Sequence, residues 1–412
     1  MFENILEQDA KKTISSDIRN NNFPGAVLFS GPEASGKLSA ALETARVFSC
    51  KNEKKGSWLC ECSACLKNKA LTYSNILLLG PRDCLLEIIA GKEYFLNAVK
   101  TNAPYIVAAR YFFVRSIRKL TLRFNGILLQ GDNNLNKIGA LVEEINENLE
   151  ALDIYHSLPA YEDIENTCNT LEALCKKLEG EYLWDSIPVN QIRNMEEWAH
   201  IKSEEGRKTI IIENADRMQA SVRNALLKIL EEPPADCIFI LTTSKRNAIM
   251  QTILSRVRTY NFRDRSFEQQ QNVIHKIFHN EAYSGTINDY LLTFLPVSPV
   301  EIKAQAELFI STIANRKIPD VNSIVKKCGN FNPRIELKLF LNYIALYQKK
   351  MLNTPAGCEV SAKTMTLLRQ CWDNITLYNQ TPVSALEILL RDLSSLNVQN
   401  NGVMKICNES VL

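Results

Sequence analysis

Two groups of residues in this chain have types and spacing that can do chemistry. The first is Gly31-Pro32-Glu33-Ala34-Ser35-Gly36-Lys37, a glycine followed after four residues by Gly-Lys. That spacing is the phosphate-binding loop, in which glycines let backbone N–H groups close on phosphate oxygens and the lysine adds a point charge at a helix N-terminus. The hydroxyl that holds Mg²⁺ in such a loop is missing, because Leu38 stands where Ser or Thr belongs. Ser39 lies one residue on, about 100° further round a helix, and does not substitute. ATP hydrolysis also needs a carboxylate near the metal at the end of a neighbouring strand, and usually a second one to orient water. Ile210-Ile211-Ile212-Glu213-Asn214-Ala215-Asp216 offers Glu213 and then an amide, Asn214, which cannot act as a base. Asp216 falls beyond the strand and reads as a cap for a helix over 217–230. Leu38 and Asn214 together predict slow or absent hydrolysis, with ATP bound weakly through Lys37 and the loop amides.

The second group is Cys50, Cys60, Cys62 and Cys65, four thiols within sixteen residues. Tetrahedral Zn²⁺ on four thiolates is the economical reading, and the Cys62-x2-Cys65 knuckle has ideal spacing for it. Cys60-x-Cys62 is tight, so a three-thiolate site and a redox-active pair stand as alternatives. No His lies nearby, which points to a closed structural site and not to a catalytic one. His275 and His279 are four apart on a helix, but Lys276-Ile277-Phe278 between them lacks the glutamate of a zinc protease, so they read as a solvated face. No Ser–His–Asp or Cys–His arrangement is visible.

The elements that must position these residues follow from pattern. Ala26-Val27-Leu28-Phe29-Ser30 is a short apolar run ahead of the loop, and 38–48 is rich in helix formers. Similar runs at 75–79, 209–212 and 237–241 are each followed by polar or helical sequence, as buried parallel strands of an α/β sheet are. From about Ser266 the helix period dominates, as in Leu337, Phe340, Leu341, Ile344 and Tyr347, and in Leu386, Leu389, Leu390 and Leu393. Between these halves, 83–185 reads as an inserted, mostly helical segment. It begins basic (Arg110, Arg115, Arg118, Lys119, Arg123) and ends acidic, from Glu143 to Glu165. Its Tyr111-Phe112-Phe113 run beside basic residues suits either a nucleic-acid face or, as the preferred reading, amphipathic helices packed on the sheet domain. There is no internal repeat.

Composition bounds the class. At 412 residues, 46% hydrophobic and 23% charged, the chain has room for two or three domains. No run of about 18 apolar residues exists to span a bilayer, which excludes a membrane partner. A formal charge of +2 requires any nucleic-acid contact to come from a local patch. The N-terminus carries acid where a secretory signal carries base, so a cytoplasmic location is expected. In that compartment the scattered cysteines, 84, 168, 175, 237, 328, 358, 371 and 407, are mostly small buried hydrophobes.

Three further stretches carry a resemblance: Asn224-Ala225-Leu226-Leu227-Lys228-Ile229-Leu230-Glu231-Glu232-Pro233-Pro234, Phe239-Ile240-Leu241-Thr242-Thr243, and Thr252-Ile253-Leu254-Ser255-Arg256-Val257. With the phosphate loop and the cysteine knuckle just after the first helix, they resemble bacterial AAA+ clamp-loader subunits of DNA polymerase III, the delta-prime type more than the gamma/tau type. The resemblance covers 1–82 and 186–262 well, and the helical remainder only by architecture. It implies an AAA+ P-loop parallel-sheet domain over 1–262 with the zinc module at 50–65, a small helical lid over 263–303 and an all-helical collar over 304–412.

The resemblance also implies roles. Gly31, Gly36 and Lys37 belong to the nucleotide loop, Thr242 lies near the sensor position, and Cys50, Cys62 and Cys65 are zinc ligands, with Cys60 moved by one from the expected place at Leu59. Arg256 becomes an arginine finger that reaches a neighbouring subunit's ATP site, a task that suits a planar, permanently charged guanidinium. Val257 replaces a cysteine of the pattern. The implied function is a non-hydrolysing subunit that helps load a sliding clamp onto primer-template DNA together with gamma/tau-like and delta-like partners. The alternatives are a gamma-like subunit that hydrolyses ATP itself and a non-replicative AAA+ scaffold.

Overall fold

The structure is a computed structural model. It describes every residue except 54, 154–155, 185, 204–205, 332–333, 377, 379, 401 and 409–412, together with the side chains of 334, 350 and 406–408. The side chain of Cys407, expected to be a buried thiol, is therefore outside the described residues. Contacts divide the chain into two units, Met1–Leu291 and Leu292–Leu412. The boundary falls inside the stretch expected to form a helical lid.

The first unit is α/β. Its strands are β1 (Ala26–Ser30), β2 (Ile76–Leu79), β3 (Lys208–Ile212), β4 (Cys237–Thr243) and β5 (Arg258–Asn261), in the order β2-β3-β4-β1-β5. Every pairing is parallel, with Phe29 opposite Thr242 and Ile212 opposite Leu241. Strands covered on both faces need apolar residues at every position, and β1 to β4 are buried throughout. The twofold pleat then splits each run between two cores. Val27, Phe29, Leu78, Ile211 and Ile240 face one core with Leu38, Leu42 and Ala45. Leu28, Leu79, Ile210, Ile212 and Leu241 face the other with Ile192, Met195, Val222 and Leu226. Strand order reverses at the β1–β4 pair, and ligands of open parallel sheets bind beyond the carboxyl ends of the strands at such a point.

The helices of this unit are α1 (Ala10–Arg19), α2 (Lys37–Ser49), α3 (Ser63–Lys69), α4 (Leu85–Lys100), α5 (Ile106–Thr121), α6 (Leu135–Glu150), α7 (Tyr161–Tyr182), α8 (Val189–His200), α9 (Ala220–Glu231), α10 (Gln251–Leu254), α11 (Phe267–Phe278) and α12 (Ile287–Leu292). The inserted segment is α4 to α7, and its aromatic run is interior. Phe113 is fully buried and stacks on Phe95 at 6.1 Å between centroids, while Phe112 meets Phe278 edge-on at 5.1 Å.

The second unit is helical: α13 (Pro299–Ala314), α14 (Val321–Lys327), α15 (Arg334–Tyr347), α16 (Pro355–Thr376) and α17 (Pro382–Gln399). Its core is the set that the helix period picks out, with Leu337, Phe340, Ile344, Leu386, Leu389 and Leu393 packed around Phe309 and Ile313. Among the described residues, no helix is long and apolar enough to cross a membrane.

Candidate nucleotide loop and metal site

The loop after β1 and the residues after β3 and β4 emerge at one edge of the sheet. Gly31 N–H donates to Thr243 O at 3.1 Å, tying the loop to β4. Gly36 precedes α2 with φ of +90°, a left-handed conformation that glycine adopts without steric cost. Lys37 Nζ turns back onto its own loop, donating to Gly31 O at 2.6 Å, to Ser35 Oγ at 3.3 Å and to Pro32 O. Burial pulls Lys37 down to about 8, with Arg82 adding to the effect and Glu213 and Glu33 opposing it. From the other side Arg265 braces the loop, donating to Ala34 O at 2.5 Å and Leu6 O at 2.9 Å. A capping box of Ser266 and Gln269 starts α11 directly after it. Leu38 points into the core at 6% exposure, so position 38 offers the loop nothing in place of the missing hydroxyl.

Glu213 is buried at the end of β3 and is not free. Its Oε1 accepts from Arg82 Nη1 at 2.7 Å and its Oε2 from Arg123 Nη2 at 2.6 Å. Arg82 also pairs with Glu87 at 2.9 Å, and Glu87 with Lys119. Arg123 further donates to Gly80 O at 2.6 Å. Gly80 has φ of +110°, and a Cβ there would lie 2.1 Å from Glu213 O, so only glycine lets these two segments meet. Burial pushes Glu213 up, but the two guanidiniums outweigh it and hold its carboxyl below the ordinary range. For Glu87, Lys119 and Arg82 overcome burial and draw the pKa to about 2.

Asn214 sits at φ of +52° and donates through Nδ2 to Pro81 O at 2.6 Å. Thr242 is buried in β4, and its Oγ1 accepts from Asn214 N–H at 3.4 Å, linking the ends of β3 and β4. Asp216 corrects the sequence reading. It accepts from Thr243 Oγ1 at 2.6 Å, and α9 begins only at Ala220 behind Gln219, so Asp216 is not that helix's cap.

At the other end of α2 lies the cysteine site. The four sulfurs of Cys50, Cys60, Cys62 and Cys65 all lie within 4.8 Å of one another. Cys50 Sγ and Cys60 Sγ are 3.7 Å apart. A tetrahedron of sulfurs at a Zn–S distance of about 2.3 Å has an edge of about 3.8 Å, so the residues fit a metal ion. The tight Cys60-x-Cys62 spacing is accommodated because Leu59 turns outward, 82% exposed, while Cys60 turns in.

Burial pushes the Cys62 thiol up, yet N–H groups of Lys51 and Cys65 outweigh it and bring it down to about 6. Burial and the facing sulfurs push Cys65 up. Four sulfurs at this spacing cannot all ionise without a cation between them, and a bound metal supplies one. Arg46, 1% exposed on α2, braces the module. It grips Glu43 at 2.6 and 2.8 Å and donates to Gly56 O, Ser57 O and Cys65 Sγ at 3.0, 3.0 and 3.2 Å.

The basic start of the insertion is spent inside the unit. Arg110 donates to Leu152 O at 2.8 Å and His156 O at 3.0 Å. Arg115 reaches Lys69 O and Arg118 reaches Ala70 O at 2.7 Å, so α5 caps the carboxyl end of α3. This agrees with helices packed on the sheet domain. Sequence reasoning missed that Arg82, Arg123 and Lys119 form the network around Glu213. The basic run was visible, but its carboxylate partners lie up to 90 residues away.

Arg256 follows α10. It is 27% exposed and rests against Glu231 at 3.3 Å, with Nη1 donating to Thr252 O at 2.7 Å. Its Glu231 partner is 61% exposed.

A family model described as "DNA polymerase III, delta subunit" matches residues 6–137 and 142–266. The chain belongs to that family. Among curated relatives, DNA polymerase III subunit delta′ of Bacillus subtilis is 40% identical over 78 residues, 19% of this chain and 24% of the relative. The tau subunit of the same organism is 33% identical over 109 residues, 24% of this chain and 19% of the relative. The delta′ subunit of Haemophilus influenzae is 34% identical over 76 residues, 18% of this chain and 23% of the relative. The aligned stretches thus span a quarter or less of these relatives. A solved DNA polymerase III gamma subunit-related protein from Thermotoga maritima aligns with a TM-score of 0.27 at 13% identity, covering 50% of this chain and 79% of that one. That likeness is too slight to define the fold further.

Proposed function

We propose that this protein is a delta-prime-like subunit of the DNA polymerase III clamp loader. It completes a neighbouring subunit's ATP site with Arg256 and hydrolyses no ATP itself. The observation that carries the reading is the state of Glu213: the carboxylate that would serve a metal in a phosphate-loop ATPase is held between Arg82 and Arg123, while Leu38 is in the core. In this reading, Gly31, Gly36, Lys37 and Thr242 are retained as a nucleotide-type scaffold, and Leu38, Glu213 and Asn214 are its degenerate positions. The partners are gamma/tau-like and delta-like subunits, the sliding clamp and, through the assembly, primer-template DNA. The helices of the second unit serve as the collar that assembles with them. The ion of the cysteine site is Zn²⁺ with a structural role, since four thiolates without an open position suit a closed site. The protein works in the cytoplasm.

The physical basis for the finger is availability. A surface ion pair such as Arg256–Glu231 contributes about 0–1 kcal/mol, so the guanidinium can leave it for a phosphate at little cost. An arginine finger contributes a factor of about 10³ or more at one site, and other sites in an assembly keep their own. Arg256→Ala should therefore leave the chain folded and able to assemble, yet partly lower the clamp-dependent ATPase of a complex reconstituted with gamma/tau-like and delta-like subunits. Unchanged ATPase in that complex would remove the mechanism. Robust turnover by the isolated chain, abolished by Lys37→Ala, would replace the reading with a self-sufficient ATPase.

A further inference from the structure

We infer that the phosphate loop binds the polyphosphate of a nucleoside triphosphate without a divalent cation, the Arg82–Arg123 pair standing where the cation would be held. The inference rests on reading the loop as nucleotide-type, and goes beyond it by assigning the insertion a part in binding. Two positions of such a site ordinarily serve the metal: a hydroxyl at the first turn of α2 and a carboxylate at the end of the neighbouring strand. Here the first is Leu38, packed in the core. At the second, Glu213 spends Oε1 on Arg82 and Oε2 on Arg123. A divalent cation arriving there would have to displace two charge-assisted hydrogen bonds and would meet two guanidiniums at contact range.

The same arrangement supplies the charge that the cation would have brought. Arg82, Arg123 and Lys119 oppose Glu213 and Glu87, leaving that network one positive charge in surplus. Gly31 N–H bonds Thr243 O and Asn214 N–H bonds Thr242 Oγ1, so the loop and the Glu213–Asn214 pair leave the same end of the sheet on either side of β4, where Lys37 feels the charges of both Glu213 and Arg82. The other acids in reach of Lys37 are Glu33 and Asp216, and Asp216 is engaged by Thr243. Arg123 is 1% exposed and anchored on Gly80 O, which makes it the rigid rear of the pair. Arg82 is 29% exposed, and with Nη1 on Glu213 and Nη2 on Glu87 it keeps a second N–H on each nitrogen for a phosphate. A planar guanidinium suits phosphate oxygens, and polyphosphate binding on arginine needs no metal.

The test is calorimetric titration of ATP into the full chain, once in excess Mg²⁺ and once in excess EDTA. The expected result is a Kd in EDTA equal to or tighter than that in Mg²⁺, because magnesium masks the phosphate charge that the arginines read. Lys37→Ala should abolish binding, and Arg82→Gln should weaken it about tenfold in EDTA, the loss of one charge-assisted contact, whereas Arg82→Lys, which keeps the charge, should restore most of it. Binding about tenfold or more tighter with Mg²⁺, or no binding in either condition, would overturn the inference, and needs no variant to fold. So would an Arg82→Gln protein that binds as the parent does. A chain that supports clamp-dependent ATPase through Arg256 but takes ATP only with Mg²⁺ would sink this inference alone. One that binds ATP in EDTA yet never assembles would sink the clamp-loader reading alone.

Discussion

The two ends of α2 hold opposite kinds of site. At the amino end, Lys37 and Glu213 are satisfied by groups of this chain, a loop carbonyl for one and two arginines for the other. At the carboxyl end, four sulfurs converge within 4.8 Å of one another, a set that fits a metal ion. The first site is paired internally by side chains, whereas the second has the donor set and spacing of a metal site. One helix positions both, and α5 reinforces both: Arg115 and Arg118 bond the end of α3, while Lys119, with Arg123 just beyond the helix, belongs to the Glu213 network. The difference is instructive because both sites are built from charged groups at low exposure. A buried charge is tolerated only when paired, and the pairing agent can be a side chain or an ion.

The comparison breaks most readily at the carboxyl end. Protein purified without chelator should contain about one equivalent of zinc. Stripping it, or introducing Cys65→Ser, should cost several kcal/mol and lower the melting temperature of the first unit by about 10 °C, because folding then no longer includes metal binding. Less than about half an equivalent of metal by elemental analysis would mean that the sulfurs are held together by packing alone.

At the amino end the corresponding perturbation is Arg123→Met. Removing a guanidinium that is 1% exposed leaves Glu213 half-compensated and Gly80 O without its donor, and should cost about 3 kcal/mol or more in urea denaturation. Adding Glu213→Gln to that variant should recover a large part of the loss, since the uncompensated charge disappears. A double variant no more stable than Arg123→Met would show that the pair acts through packing and not through charge.

How much of this was legible in the sequence depends on the range of the interactions. The parallel sheet, the loop and the cysteine cluster follow from local runs and short spacings, and each of those elements appears in the structure. Asp216 was misread because a side chain beyond a strand can bond across to β4 as easily as cap the next helix, and Thr243 decides between them. The Cys60-x-Cys62 spacing looked strained because spacing says nothing of Leu59 turning outward. The Glu213 network was illegible for a stronger reason. Arg123 and Glu213 are 90 residues apart, and only the folded insertion brings them together. Arg46 was hidden differently: its Glu43 partner is one helical turn back, a pattern common on solvated faces, and nothing local shows that both are buried.

A smaller effect sharpens the picture beside the same network. Glu179 on α7 accepts from Cys84 and Leu85 N–H at 2.9 and 3.0 Å, satisfying the start of α4. Burial, with Asp83, pushes its carboxyl up to about 8. Its folded pKa is raised above the unfolded value, so its contribution to stability is full at acidic pH and is lost as pH rises through about 8. Glu213 and Glu87 run the other way, stabilising above the ordinary carboxyl range and failing as pH falls towards acid. Glu179→Gln keeps an accepting oxygen for the two N–H groups. It should match the parent near pH 5 and exceed it by about 1–3 kcal/mol near pH 9. Parallel pH profiles for the two proteins would show that Glu179 ionises without cost.

The smallest effect tests whether Arg256 belongs to this chain or to a neighbour. In the structure it is paired with Glu231 at 3.3 Å on the surface, and an exposed pair of this kind contributes at most about 1 kcal/mol. Glu231→Gln should therefore change stability by less than about 0.5 kcal/mol. If Arg256 acts on a neighbour's phosphate, Glu231 only holds the guanidinium between engagements, and Glu231→Gln should leave the ATPase of the reconstituted assembly unchanged or slightly raised while Arg256→Ala lowers it. If instead the pair holds the α10 turn in place, the two variants should lower the ATPase equally and destabilise the isolated chain equally. Measuring both variants in both settings separates a charge that the chain uses for itself, as at Glu213, from one that it presents to a partner.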